Sequence, residues 1–170
     1  IGSFNNIYFT YVAAFGAFSD VSYQTPQRSK NMLGHLAYVL EGIKRIPTIK
    51  SYRLKIEHDG EIVEDEFLLA LITNSISVGG YRNLGEMGII LDDGLFEATF
   101  IKQPKNPMEI QNIISSVLKQ DMTSPYIYHF KASEINISSD EALEWSLDGE
   151  NGGAHNNVKI LNHKQAINII

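Results

Sequence analysis

Apolar and charged residues alternate along the segment 52–57, which is the two-residue period of a β-strand with one buried face. A second β-type run, 62–73, follows, and Asp59-Gly60 lies between the two runs. Asp-Gly in this position is a strong signal for a tight turn that joins antiparallel strands. The pattern therefore predicts a β-hairpin over residues 52–73.

Further runs rich in β-branched and aromatic residues predict more strands along the chain. They lie at 7–12, 89–91, 95–101, 126–130, 134–138, 143–147, 158–161 and 166–169. The chain lacks the regular alternation of strands and helices that predicts a parallel sheet. Its pattern is typical of an antiparallel sandwich or barrel.

Two segments carry apolar residues three and four positions apart, which is the spacing of an amphipathic helix. The first has Thr25 as its predicted N-cap and Pro26 at the first helical position, and it continues to about residue 44. The second begins in the same way at Asn106 and Pro107. Its apolar stripe consists of Ile110, Ile113, Ile114, Val117 and Leu118. We interpret both stripes as faces packed against a sheet.

The composition is that of a globular protein, with 44% hydrophobic and 20% charged residues. The net charge of −6 argues against non-specific binding to nucleic acid or to anionic lipid headgroups, which requires a basic surface. The absence of cysteine excludes disulfides, thiolate metal sites and a cysteine nucleophile. The longest apolar stretch, 67–72, is far shorter than the roughly 20 residues of a membrane-spanning helix.

No signal-peptide pattern opens the chain. These features are compatible with a cytoplasmic location, with contact at the inner membrane surface that is at most peripheral. Because the first residue, Ile1, is not Met, we interpret the chain as part of a longer polypeptide.

Two acidic motifs that contain glycine carry the candidate chemistry. The segment 148–153 places Asp148 and Glu150 two residues apart in a glycine-rich turn, where a carboxylate can accept a proton or help to hold magnesium. In the segment 91–95, one carboxylate of the adjacent pair Asp92-Asp93 together with backbone carbonyls can bind a hard divalent cation. From the residues alone, a solvated hairpin turn and a charged hairpin loop remain the alternative interpretations of these two motifs.

The other polar segments are less informative. Asn74 opens a segment that ends in Gly79-Gly80 and forms either a substrate-facing loop or a β-bulge. No two of the five histidines are four positions apart, so the spacing does not support a helical histidine metal site.

Taken in order, these segments resemble the C-terminal domain of the diacylglycerol kinase and sphingoid-base kinase superfamily, and especially the soluble diacylglycerol kinases of Gram-positive bacteria. The matching residues are 6–9, 12–22, Lys30 with 33–38, 73–75 with 79–80, 91–96 and 147–150. The resemblance implies a mainly β fold, a two-layer antiparallel β-sandwich with two helical insertions. It also implies that residues 1–170 form a single C-terminal domain on the substrate side of the kinase.

In this family a preceding domain binds ATP through a Gly-Gly-Asp-Gly motif, which this chain lacks. The resemblance therefore implies that the nucleotide-binding domain is a partner and that the chain alone is inactive. Glu150 matches the general base that takes the proton of the lipid hydroxyl. Asp148 is implied to orient the turn or to contact the nucleotide–magnesium group, and Lys30 to approach the phosphates of ATP.

The resemblance also implies a structural Mg²⁺ site formed by Asp93 with the main-chain oxygens of Ile90 and Leu95. The predicted walls of the lipid site are Phe15, Phe18, Asn74 and Ser77, with core packing as the alternative for the two phenylalanines. Sphingosine kinases carry an acid at the position of Ser22 that recognises the substrate amine. The serine favours diacylglycerol or a related neutral lipid as substrate.

The sequence thus predicts part of an ATP-dependent lipid kinase that produces phosphatidic acid. Two alternatives remain open: a non-catalytic β-sandwich interaction module, and an NAD kinase-like phosphotransferase. Exposed sheet edges would allow a homodimer.

Overall fold

Antiparallel strands dominate the computed structural model, which describes residues 1–16, 50–74, 93–119 and 121–166. The nine strands of these residues are β1 (Gly2–Phe4), β2 (Ile7–Phe9), β3 (Val12–Gly16), β4 (Tyr52–His58), β5 (Glu61–Thr73), β6 (Phe96–Lys102), β7 (Ile127–Ala132), β8 (Glu134–Leu147) and β9 (Glu150–Asn162). One helix, α1 (Pro107–Lys119), connects β6 to β7. The predicted mainly β class is confirmed.

The predicted hairpin over residues 52–73 is present as β4 and β5. Asp59 and Gly60 both have positive φ angles, 47° and 83°, as a two-residue turn between right-handed twisted strands requires. The ladder runs from Tyr52 opposite Phe67 to His58 opposite Glu61.

The strands form one sheet that closes upon itself. The order is β2-β1-β9-β8-β3-β5-β6-β7, and β4 pairs with both β5 and β8. Strand β3 pairs with the ends of β5 and β8 at Thr73 and Leu147, whereas β4 pairs with their beginnings. The four strands β3, β5, β4 and β8 therefore form a closed ring of pairs, in which β5 and β8 each pair with both β3 and β4.

Strand β8 contains a large bulge. The sequence predicts two strands, 134–138 and 143–147, but the structure has one, because residues 139–142 bulge out of the β8–β9 ladder opposite Asn156. The Asn156 side-chain amide donates a hydrogen bond to the carbonyl of Asp140 at 3.3 Å. The residues that the sequence prediction left between two strands thus form an irregularity within one strand.

Aromatic side chains fill the interior of the sandwich. The largest fully buried side chains of this core are Phe4, Phe9, Phe15, Phe67, Phe96 and Phe100. A smaller cluster lies under α1, where Ile113 packs with Leu68, Leu69, Ile101 and Ile127.

Helix α1 begins as predicted. The Asn106 side-chain oxygen accepts the Glu109 N–H at 3.0 Å, and the Glu109 carboxylate in turn accepts the Lys105 N–H at 2.6 Å. This reciprocal capping, with Pro107 in the first turn, satisfies backbone donors that the helix itself leaves unpaired. The prediction that Leu118 belongs to the packed stripe is wrong, since that side chain is 44% exposed.

Several other predicted elements differ from the structure or lie outside it. The segment 7–12 is broken at Thr10 and Tyr11 into β2 and β3, and the three-residue β1 was not predicted. The helix over 25–44 and the strand over 89–91 lie outside the described residues, as does most of 166–169. Within the part of the chain that is described, no helix has the length and hydropathy needed to cross a bilayer.

One buried and one exposed apolar residue of α1 allow a matched test of the helix packing. We expect Ile113→Ala to lower the free energy of unfolding by about 2–5 kcal/mol, because it leaves a cavity in a buried cluster. We expect Leu118→Ala, on the exposed side of the same helix, to change it by less than about 1 kcal/mol. Urea unfolding followed by circular dichroism measures both values. Equal losses would show that α1 does not pack as described.

Candidate functional site

The β8–β9 hairpin turn carries both carboxylates of the predicted catalytic motif. Asp148 and Gly149 form its two central residues, with positive φ angles of 53° and 89°. Glu150 begins β9 directly opposite Leu147, whose side chain belongs to the core. Because directly opposed residues project from the same face of a ladder, Glu150 lies at the rim of the sandwich interior. Its side chain is exposed, and among the described residues it makes no hydrogen bond or ion pair.

The chain turns between β2 and β3 at residues 9–12, which we call the β2–β3 corner. Asp148 binds this corner with both of its carboxylate oxygens. Oδ2 accepts the Thr10 N–H at 2.7 Å and the Thr10 hydroxyl at 2.9 Å. Oδ1 accepts the N–H groups of Tyr11 and Val12, each at 2.8 Å. Four donors thus occupy the acceptor positions of one carboxylate, which holds the turn against the corner.

These hydrogen bonds change the acidity of Asp148. Partial burial alone raises the pKa of its carboxyl, but the hydrogen bonds from Thr10, Val12 and Tyr11 outweigh burial and lower the pKa below its ordinary value. Asp148 therefore remains a carboxylate and accepts protons poorly.

Asn74 lies on the other side of the same corner. It follows the end of β5, and its backbone N–H donates to the carbonyl of Tyr11 at 3.2 Å. The β2–β3 corner therefore links two of the predicted site residues, Asp148 and Asn74. Sequence reasoning missed the corner itself, because its backbone donors leave no signal in the residue types.

The strand that follows the Asp93 loop also contacts the corner. Asp93 Oδ1 accepts the Leu95 N–H at 2.8 Å, and Gly94 has a positive φ of 85°. The next residue, Phe96, stacks on Phe9 of the corner with ring centroids 5.6 Å apart. The start of β6, just after Asp93, thus contacts the same corner that binds Asp148 and the backbone of Asn74.

The predicted ligands near Asp93 that the structure describes suit a hard cation. Asp93 Oδ2 and the Leu95 carbonyl are oxygen donors of the kind that Mg²⁺ prefers. The third predicted ligand, Ile90, lies outside the described residues. Within the described ranges, this loop included, no three His, Cys, Asp or Glu side chains come together in a metal-binding cluster. A cation at this loop would therefore depend on main-chain oxygens.

The remaining predicted site residues are not at this end of the sheet or are not described. Phe15 is fully buried and packs against Trp145, with ring centroids 5.1 Å apart, which is the alternative role expected from the sequence. Lys30, Phe18 and Ser77 lie outside the described residues.

A second polar cluster on the outer face of β6 and β7 was not predicted. The Glu97 carboxylate, whose side chain is 10% exposed, contacts His129 at 3.1 Å and Lys131 at 2.5 Å. Burial by itself raises the pKa of Glu97, but the bonds from His129 and Lys131 lower it below its ordinary value. The partners are about thirty residues apart in the chain, so only the β6–β7 register reveals them.

Substitution of Asp148 tests the corner. We expect Asp148→Asn to lower the free energy of unfolding at pH 7 by about 1–3 kcal/mol, because an amide has one acceptor oxygen for four donors. The Asp148 pKa is lower in the folded than in the unfolded state. Its charge therefore stabilises the fold above the unfolded pKa of about 3.9, and this contribution is lost as pH falls through the folded value.

Chemical unfolding from pH 7 down to about pH 3 should show the difference between wild type and Asp148→Asn shrinking in acid. Asp140→Asn, on the exposed bulge of β8, is the charge-matched control. If the two variants were equally stable at pH 7, the role assigned to Asp148 would be wrong.

Comparisons with known proteins agree with this architecture. Residues 12–169 match the family described as the YegS C-terminal NAD kinase beta sandwich-like domain. A crystal structure of a diacylglycerol kinase from Bacillus anthracis str. Sterne superposes with a TM-score of 0.69 at 23% identity, covering 96% of this chain and 53% of that one. A second crystal structure from the same organism superposes with a TM-score of 0.68 at 25% identity. The match covers 96% of this chain and 52% of the chain in that structure.

Curated relatives share more of the sequence. The chain is 32% identical to the diacylglycerol kinase of Bacillus subtilis (strain 168) over 154 residues, which is 90% of this chain and 50% of that protein. It is 36% identical to the diacylglycerol kinase of Staphylococcus aureus (strain JH9) over 154 residues, 90% of this chain and 48% of that protein. The chain spans about half the length of these curated relatives. By its match over residues 12–169, it belongs to the family of YegS C-terminal, NAD kinase beta sandwich-like domains.

Proposed function

We propose that this chain is the substrate-side part of an ATP-dependent lipid kinase that phosphorylates the hydroxyl of diacylglycerol or a related lipid. Two relatives that are 32% and 36% identical are named diacylglycerol kinase, which supports this substrate class. The turn that carries Glu150 supports the reaction type, since it presents a carboxylate at the rim of the sandwich. The product is then phosphatidic acid.

Glu150 is the proposed general base because the two carboxylates of the turn differ in their bonding. Asp148 accepts four hydrogen bonds from the corner, and its pKa is lowered. Glu150 is exposed and has no partner among the described residues. A general base needs an oxygen that can approach the proton it removes. This difference in bonding is the observation that carries the assignment.

The proposed reaction is a direct transfer. The lipid oxygen bonds to the γ-phosphorus of ATP while its proton moves to the Glu150 carboxylate. The bond between the γ-phosphorus and the β–γ bridging oxygen breaks, and ADP leaves. Such transfers depend mainly on positioning and on neutralisation of phosphate charge, and a magnesium ion bound with the nucleotide supplies that neutralisation. Asp148 acts as a positioning residue, because it holds the turn on which Glu150 is carried.

The rest of the site is proposed to come from a separate domain and from other residues of this chain. The relatives are about twice as long as this chain, which supports a separate domain that binds most of the nucleotide. Asn74, whose backbone N–H binds the Tyr11 carbonyl of the β2–β3 corner, is proposed to contact the polar end of the lipid. Asp93, with the main-chain oxygens of Ile90 and Leu95, is proposed to hold a second Mg²⁺ that braces its loop.

Glu150→Gln in the full-length enzyme tests the proposal. We expect kcat for diacylglycerol phosphorylation to fall by about 10²- to 10⁴-fold, because the amide cannot accept the proton. The KM for ATP and the midpoint of thermal unfolding should stay close to wild type, since the Glu150 side chain is exposed and has no hydrogen-bond or ion-pair partner among the described residues.

Glu144→Gln is the matched control. It removes the same charge from an exposed position of β8, opposite Ala154. We expect this variant to keep wild-type kcat. A Glu150→Gln enzyme that phosphorylates diacylglycerol at the wild-type rate would contradict the assignment of the base.

A further inference from the structure

Strand β9 contains one extra residue, Gly152, two positions after Glu150. Ser146 pairs with Asn151, but Trp145 pairs with Gly153, so Gly152 has no partner on β8. If the pairing of Trp145 with Gly153 continued regularly towards the turn, Leu147 would lie opposite Asn151. Glu150 would then be a loop residue. The bulge at Gly152 therefore decides that Glu150 is the first residue of the strand, opposite Leu147. A register change of one residue reverses the face on which side chains lie.

The space and the backbone conformation at the bulge favour glycine. A Cβ on Gly152 would lie 2.9 Å from Cγ of Leu147, and Gly153 has a positive φ of 85°. The Asn151 side-chain oxygen accepts the Gly153 N–H at 2.8 Å. These features permit the bulge, but two adjacent glycines restrict the backbone little, so the bulge needs a further contact to hold its shape.

His155 supplies that contact. Its Nε2 lies 3.0 Å from the carbonyl oxygen of Gly152, and this atom can only accept, so the ring nitrogen donates. The ring is held in place by Phe4, which meets it edge-on with centroids 5.3 Å apart. His155 faces Leu143 of the core across the ladder, so its side chain reaches the bulge from the interior side.

We propose that His155 is a positioning residue for the general base: its Nε2–H holds the Gly152 bulge and so directs the Glu150 carboxylate towards the reacting hydroxyl. The inference rests on the proposed function of Glu150. The donor is present both in the Nε2–H neutral tautomer and in the imidazolium form. His155 therefore acts through geometry and takes no proton in the reaction.

The test compares two replacements of His155 in the full-length enzyme. His155→Leu removes the donor and keeps the approximate size, whereas His155→Gln offers an amide N–H at a similar reach. We expect His155→Leu to lower kcat by about 10- to 100-fold, because small displacements of a catalytic group are costly. The KM for ATP should not change. His155→Gln should recover most of the rate, and its pH–rate profile should keep the wild-type shape. His155→Met replaces the leucine variant if that protein does not fold.

A core substitution separates positioning from general loss of stability. Val158→Ala removes packing from the same strand, at a core position beyond the bulge. We expect it to lower the unfolding midpoint and to leave kcat unchanged below that midpoint. Equal kcat losses for the glutamine and the apolar variants would overturn the inference, as would a wild-type kcat for His155→Leu. If either result were found while the Glu150→Gln enzyme is inactive, only the role of His155 would be wrong. An active Glu150→Gln enzyme would instead remove the proposed function.

Discussion

The hydrogen bonds between the Asp148 carboxylate and the backbone of residues 10–12 are the interaction on which the candidate site depends. A carboxylate that accepts several N–H groups keeps its charge and restrains every donor. Here the donors belong to the turn between β2 and β3, whose Tyr11 carbonyl binds Asn74 and whose Phe9 stacks on Phe96. One side chain thus brings the ends of β5, β6 and β8 to a common point.

The two carboxylates of the β8–β9 hairpin differ in hydrogen bonding and in exposure, because their surroundings differ. Asp148 points back to the corner and is saturated with donors, whereas Glu150 begins the next strand and faces solvent. The single extra residue at Gly152 produces this division, because it sets which side chain lies opposite Leu147. Irregularities of this kind often lie beside functional sites, where they redirect a side chain without changing the rest of the sheet.

Features that depend on neighbouring residues could be predicted from the sequence. The Asp59-Gly60 turn and the cap at Asn106 follow from the conformations that these residue types prefer, and both are present in the structure. The candidate segments around Asp93, Asn74 and Asp148 were also recognised, but not their common contact. The cluster of Glu97 with His129 was missed because its members meet only across a ladder.

The sequence by itself determined the mainly β class, the turns, the capped helix and the residue types that could carry a reaction, since local conformational preference and hydrophobic period act over a few residues. Only the tertiary structure decided the rest. The closed ring of β3, β5, β4 and β8 and the single bulged strand of residues 134–147 depend on contacts between distant segments. The partners of Asp148 and the face on which Glu150 lies depend on strand register, which many weak interactions set together.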